Sequence, residues 1–303
     1  MKLGIVFPQD LEDPAAARDF AQGIEELGFD HINFPDHVIG ANPATHQLNG
    51  PYTHKSYFHE PMTAMAYVAA ITRRIELVPT VIILPQRQVA LFAKQAAEVD
   101  VLSGGRLRVG LGVGWNQVEY EVLGMEFNNR GKRIDEQIEV LRRLWSEELV
   151  NFRGEWHHIV DAGINPRPLR ERIPLWFGGW SDPMIERIAR KGDGWLLYVP
   201  LNEGAGHIAK LQAACAKIGR DPREIGIQAW VFLNKSDVMA GANQKPGAHE
   251  LRTPEEWIAE AKGWQELGAS HLDCWTMYGG LSKADEHLAQ AEKFITTMRQ
   301  IGL

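Results

Sequence analysis

Short apolar runs alternate with longer amphipathic segments along the whole chain. "LGIVF" (3–7) is apolar and too short for a helix, so it predicts a buried strand. "DPAAARDFAQGIEELG" (13–28) then carries helical spacing, with Asp13 as N-cap, Pro14 at the first helical position and Gly28 as the stop. The couplet recurs. Strands are predicted at "HINFP" (31–35), "IELVPTVIIL" (75–84), "LRVGLG" (107–112), "IPLWFGG" (173–179), "GWLLYV" (194–199), "IGIQAWVFL" (225–233) and "HLDCWTMY" (271–278). Helices are predicted over 61–73, 88–105, within 117–148, and over 182–192, 204–219, 253–268 and 284–302. The helix at 182–192 repeats the Asp-Pro start.

The strand runs are continuous rather than alternating, as when both faces of a parallel sheet are covered. Eight strand–helix couplets in one chain of 303 residues match a (β/α)8 barrel. A doubly wound open sheet is the alternative; it normally has a glycine-rich first turn, and "FPQDLEDP" is not one. With no linker or composition shift, residues 1–303 read as a single barrel domain. Three segments look added: 38–60, 149–159 (a hairpin) and 233–252. The first and last are long, polar loops, expected to be the most mobile parts without ligand.

Composition narrows the function. Hydrophobic residues are 45% and charged residues 23%, with net charge −7 and no basic cluster, which argues against nucleic acid. No run approaches the ~20 apolar residues of a membrane span. The N-terminus does not read as a signal peptide, and two distant cysteines, Cys215 and Cys274, suggest a reducing compartment. A cytoplasmic enzyme is the expectation.

Barrel active sites lie at the C-terminal ends of the strands. Those ends offer Asp36–His37, then "GVGWNQVEYE", "GGWSDP" and "CWTMYGG". They are aromatic, amide-bearing or glycine-rich, with no metal-ligand set. That suits a flat, neutral, stacking ligand. His37, beside Asp36 and under the long 38–60 loop, is a candidate general acid or base. The alternative is a histidine satisfied by a neighbouring carbonyl. Asp36 could orient His37, bond a ligand, or simply cap the loop. In "FGGWSDP", Gly178, Gly179, Trp180 and Ser181 precede a helix start, where free N–H groups and the helix dipole favour an anion. Ser181 or Asp182 acting only as a cap is the plainer reading. Gly110, Gly112 and Gly114 alternate along a strand. They either leave room for a ring system or permit tight packing. "RGKRIDEQIEVLRRLW" reads as a solvated charged face. His46, His54 and His59 fit no metal spacing.

The segments "ELGFDHINFPDH", "LVPTVIILPQRQVALFAKQAAEVDVLSGGRLRVGLGVGWNQVEYEVLGMEFNNRGKRIDEQIEVLRRLW", "FRGEWHHI" and "IPLWFGGWSDPMIERIARKGDGW" together resemble the luciferase-like monooxygenase superfamily, which uses FMN or coenzyme F420. They span most of residues 1–200; beyond Leu201 only the strand–helix rhythm fits. The likeness is strongest to the F420-dependent branch. It implies His37 as catalytic residue with Asp36 beside it at the cofactor. It also implies a non-proline cis peptide at Thr80–Val81 behind the ring, with Val113, Gly114 and Trp115 near the cofactor. Gly178 to Ser181 would hold the phosphate. Sugar-phosphate dehydrogenases of the superfamily carry glutamate where this chain has Trp115, so an apolar or aromatic substrate is expected. Three alternatives stand beside an F420-dependent oxidoreductase. One is an FMN monooxygenase supplied by a partner reductase; the others are a non-catalytic flavin-binding protein and a metal-dependent hydrolase. A homodimer stays open.

Overall fold

The computed structural model describes residues 1–9, 11–47, 50, 52–170, 172–235, 250–277 and 280–303. Its parallel strands are β1 (Lys2–Val6), β2 (His31–Phe34), β3 (Glu76–Pro79), β4 (Ile82–Ile83), β5 (Val109–Gly112), β8 (Leu175–Gly178), β9 (Gly194–Leu196), β10 (Gly226–Phe232) and β11 (His271–Trp275). They are ordered β3-β2-β1-β11-β10-β9-β8-β5-β4. A bridge between Leu77 and Leu107 joins β3 to the approach of β5, so the sheet returns on itself. β3 and β4 are two halves of the third predicted strand, parted by a cis peptide at Thr80–Val81. Counted that way there are eight staves, and the fold is a (β/α)8 barrel.

Helices α1 (Pro14–Leu27), α2 (Pro61–Ile71), α3 (Val89–Ser103), α4 (Gln117–Val122), α5 (Arg130–Ser146), α6 (Asp182–Lys191), α7 (Leu201–Lys217), α8 (Pro254–Glu266) and α9 (Ala284–Gln300) complete the couplets. α1 follows its sequence signals: Asp13 accepts from Ala15 N, and Gly28 ends the helix at φ 81°. α6 departs from them. Ser181 is the N-cap and Asp182 is already helical, with its carboxylate 2.9 Å from Lys210. The expected hairpin is present as β6 (Val150–Arg153) and β7 (His158–Ala162), a little longer than 149–159. Most of the predicted 233–252 insertion lies outside the described residues; its ends pair through Asn234 and Leu251. Among the described residues no helix is long and apolar enough to cross a membrane.

The barrel interior is less apolar than the strand sequences suggest. His31, Asn33, Gln228 and Asp273 are buried near its floor and bond to one another, leaving His31 Nδ1 without a partner among the described residues. His31 Nε2 lies 2.6 Å from Asp273, Asn33 donates to Asp273 at 2.9 Å, and Gln228 donates to Asn33 at 3.0 Å. Arg108 adds a bond to Gln228 at 2.8 Å and one to Glu76 at 2.9 Å. Buried polar groups persist where they are paired in this way.

Higher up, the alternating glycines admit neighbouring side chains. A Cβ on Gly112 would stand 2.4 Å from Val81 Cγ2, and one on Gly178 2.8 Å from Val81 Cγ1. Close packing around Val81 is therefore what these two glycines provide. Gly112→Ala should destabilise by about 1–3 kcal/mol, the usual range for overpacking. Adding Val81→Ala should recover most of that loss. Urea unfolding midpoints of the three variants check this; equal losses in the single and double variants would refute the packing explanation.

Candidate active site

The C-terminal ends of the strands surround a cavity of about 410 Å3. Asp36, His37, Thr80, Val81, Val113, Gly114, Trp115, Gly178, Gly179 and Trp180 all line it. Of the site residues expected from sequence, only Ser181 is not in the lining; it stands one residue further on, at the start of α6.

His37 is held by a residue that sequence reading did not single out. Its Nδ1 lies 3.0 Å from Oε1 of Glu119, on α4. That oxygen also accepts from Val38 N at 3.1 Å, and Gln86 Nε2 donates to the other oxygen at 3.2 Å. Burial would raise the Glu119 carboxyl, but the bonds from His37, Gln86 and the loop backbone outweigh it and hold the group below its usual range. An ionised carboxylate only accepts, so Nδ1 carries the proton. Nε2 makes no bond to any described residue. α4 owes its place to Asn116, whose side chain accepts from Val118 N, and to Tyr120, whose hydroxyl donates to Val113 O at 2.6 Å.

Asp36 does not orient His37. One oxygen accepts from Arg87 at 2.7 Å and the other from Ile83 N at 3.1 Å, so the carboxylate ties the loop after β2 to the end of β4. Burial pushes this carboxyl above its ordinary range, with Arg87 pulling the other way. The acid that serves the imidazole is Glu119, far away in sequence.

The loop after β2 folds back over the imidazole. Ring centroids of Tyr52, Phe58 and Trp115 lie 4.7, 4.9 and 5.5 Å from that of His37. The far wall is aromatic too: Tyr198, Trp230 and Trp275 line the cavity, with the two indoles 5.3 Å apart. These belong to the ends of β9, β10 and β11, and only the last was flagged as aromatic from sequence. At the β8 end, Gly179 has φ 107° and Ser181 makes no side-chain capping bond, so its hydroxyl is not spent on the helix. Behind the cis peptide, Thr80 Oγ1 is buried without a partner. Among the described residues no three His, Cys, Asp or Glu side chains converge as a metal site would require.

The model of the luciferase-like monooxygenase family matches residues 1–296. The chain belongs to this family. It is 32% identical over 204 residues to the pyrimidine monooxygenase RutA of Allorhizobium ampelinum, covering 64% of this chain and 55% of that one. It is 29% identical over 203 residues to an F420-dependent glucose-6-phosphate dehydrogenase of Amycolatopsis mediterranei, covering 65% and 57%. A solved F420-dependent secondary alcohol dehydrogenase superposes with a TM-score of 0.78 at 18% identity, covering 98% of this chain and 99% of that one. The luciferase-like family thus includes oxidoreductases and monooxygenases, some working with F420 and some oxidising with oxygen, on this barrel.

Proposed function

We propose that the chain is an F420-dependent oxidoreductase that exchanges hydride with a small apolar or aromatic organic substrate. The observation that carries this reading is His37. Its Nδ1 is fixed by an ionised Glu119 while Nε2 borders a cavity walled mainly by aromatic and aliphatic groups. A flat cofactor ring fits a cavity of about 410 Å3 backed by Val81. The buried, unpartnered Thr80 hydroxyl is available to a polar edge of that ring. Gly179, Trp180 and Ser181 would hold the phosphate. When bound, the deazaflavin supplies hydride chemistry at C5, and the protein supplies orientation, dryness and a proton.

His37 Nε2 is the atom that would hand a proton to, or take one from, the substrate. Glu119 stabilises the imidazolium whenever His37 holds both protons. Trp230, Trp275 and Tyr198 oppose a charged substrate, since none offers a counter-ion; Trp115 extends that apolar character to the His37 side. An FMN monooxygenase drawing reduced flavin from a partner reductase is the second reading, favoured by the likeness to RutA.

Fluorescence titration with F420, FMN and riboflavin tests the proposal. F420 should bind at least tenfold more tightly than FMN. Gly179→Val should weaken both phosphate-bearing ligands at least tenfold and leave riboflavin nearly unchanged, because valine disfavours φ 107°. Tighter binding of FMN than F420 would favour the second reading. Equal effects of the variant on all three ligands would move the phosphate elsewhere.

A further inference from the structure

A second cavity, also about 410 Å3, lies behind β4 at the barrel rim. It is bounded by the start of α3, the first two turns of α5 and the tip of the β6–β7 hairpin, and its lining includes Arg87, Arg133, Gln137 and Trp156. The proposed hydride transfer does not use it.

Its charge is unbalanced in one direction. Among the described residues the half-buried Arg133 has no carboxylate partner; its guanidinium reaches only Pro85 O at 3.5 Å and Met125 Sδ at 3.1 Å, and its Nε is buried without an acceptor. α5 opens with Arg130, Lys132 and Arg133 and has no acid in its first turn. Cations at that end face the positive pole of the helix dipole, which disfavours them. α3 also starts with no acid, and its N-cap Gln88 makes no side-chain bond. Its first N–H groups therefore lack the usual side-chain acceptor. Gln137 supplies an independent sign. It is 1% exposed and lines the cavity; its Nε2 donates to Arg87 O at 3.2 Å while its Oε1 has no donor. Unsatisfied donors and one unsatisfied acceptor share a space that has Trp156 for a wall.

We infer that this cavity binds a small organic anion: a phosphate or carboxylate head on a planar or apolar body. The head meets Arg133 and the start of α3, an N–H or O–H of the ligand meets Gln137 Oε1, and the body lies against Trp156. The charged run at the start of α5, which reads from sequence as a solvated face, is on this view half of a binding site. Arg87 lines this cavity and reaches a wall residue of the first. Its guanidinium stays on Asp36 of the first cavity and on Glu60, at 2.7 and 3.2 Å.

The test is calorimetric titration of the cofactor-free full chain carrying Gly179→Val, which closes the phosphate position of the first cavity, with inorganic phosphate, phenyl phosphate and benzoate. Phenyl phosphate should bind, Arg133→Ala should weaken it at least tenfold, and Trp156→Ala should shrink its advantage over inorganic phosphate. Arg133→Ala should fold, and melt no lower than the parent, because it removes an unpaired cation; circular dichroism checks this. In the parent, loss of the Arg133-dependent binding on adding F420, but not FMN or riboflavin, would identify the acid as a further acidic group of the cofactor next door, since the single phosphate of FMN belongs on Gly179 to Ser181. Retention would identify a separate anion. Failure of all three probes to bind at millimolar concentration overturns the inference. So does binding untouched by Arg133→Ala.

Discussion

Replacing His37 by alanine is expected to slow the single-turnover hydride step by roughly 100- to 10,000-fold, the usual span for general acid–base help. Cofactor affinity should stay within about tenfold, roughly 1.4 kcal/mol. The division follows from the geometry. His37 is one of many groups around the cavity, but it is the one imidazole among the described lining residues, and an ionised carboxylate holds it in place from behind. Three aromatic rings pack within 5.5 Å of the imidazole and limit its contact with water, so bulk solvent is a poor substitute for the lost proton carrier. A histidine that only supports the overlying loop would behave differently. Its loss would loosen Tyr52 and Phe58, raise the Michaelis constant and leave the chemical step nearly intact. Anaerobic stopped-flow with preformed enzyme–cofactor complex separates the two. An unchanged hydride rate in His37→Ala would remove this residue from the chemistry.

The barrel itself was legible because parallel strands covered on both faces leave continuous apolar runs, and because Asp13, Pro14 and Gly28 mark their helix unambiguously. The mouth was legible for the same reason: once the strands are found, their ends are known. What escaped depends on pairings across the fold. Asp36 adjoins His37 in sequence, so proximity suggested that the two work together. The strand end instead directs Asp36 to Arg87, and Glu119 arrives from a helix after β5. The alternating glycines posed a choice that only the neighbour could decide, and for Gly112 that neighbour is Val81. In α6 the Asp-Pro signal was one residue out of phase. Ser181 occupies the cap position, and Lys210, a residue of α7, takes the carboxylate. The buried set of His31, Asn33, Gln228 and Asp273 was hidden because its members are scattered over three strands, β2, β10 and β11, far apart in sequence. Their bonds to one another form only when the barrel closes.

Glu119 is the remaining test of how the site is held. Its carboxylate is 1% exposed and accepts from His37, Val38 and Gln86. Glu119→Ala leaves all three donors facing a void, and removing one partner of a buried charged set typically costs about 3–5 kcal/mol. Glu119→Gln keeps the volume, but its amide nitrogen must then meet either the Gln86 amide or His37 Nδ1–H, both donors. The glutamine variant should therefore fold and bind cofactor while turning over roughly tenfold to a hundredfold more slowly, a smaller loss than His37→Ala because the imidazole remains. The pH dependence gives a readout that packing alone would not move. A carboxyl held below its ordinary pKa contributes stability that is fully present above the unfolded value of about 4.3 and lost as pH falls through the lower folded value. Melting temperature should accordingly drop more steeply below about pH 4.3 in the parent than in Glu119→Gln, and the two curves should converge in acid. Parallel curves would mean that Glu119 is held no more tightly as a carboxylate in the folded chain than in the unfolded one, and the account of His37 fixed by an ionised partner would fail with it.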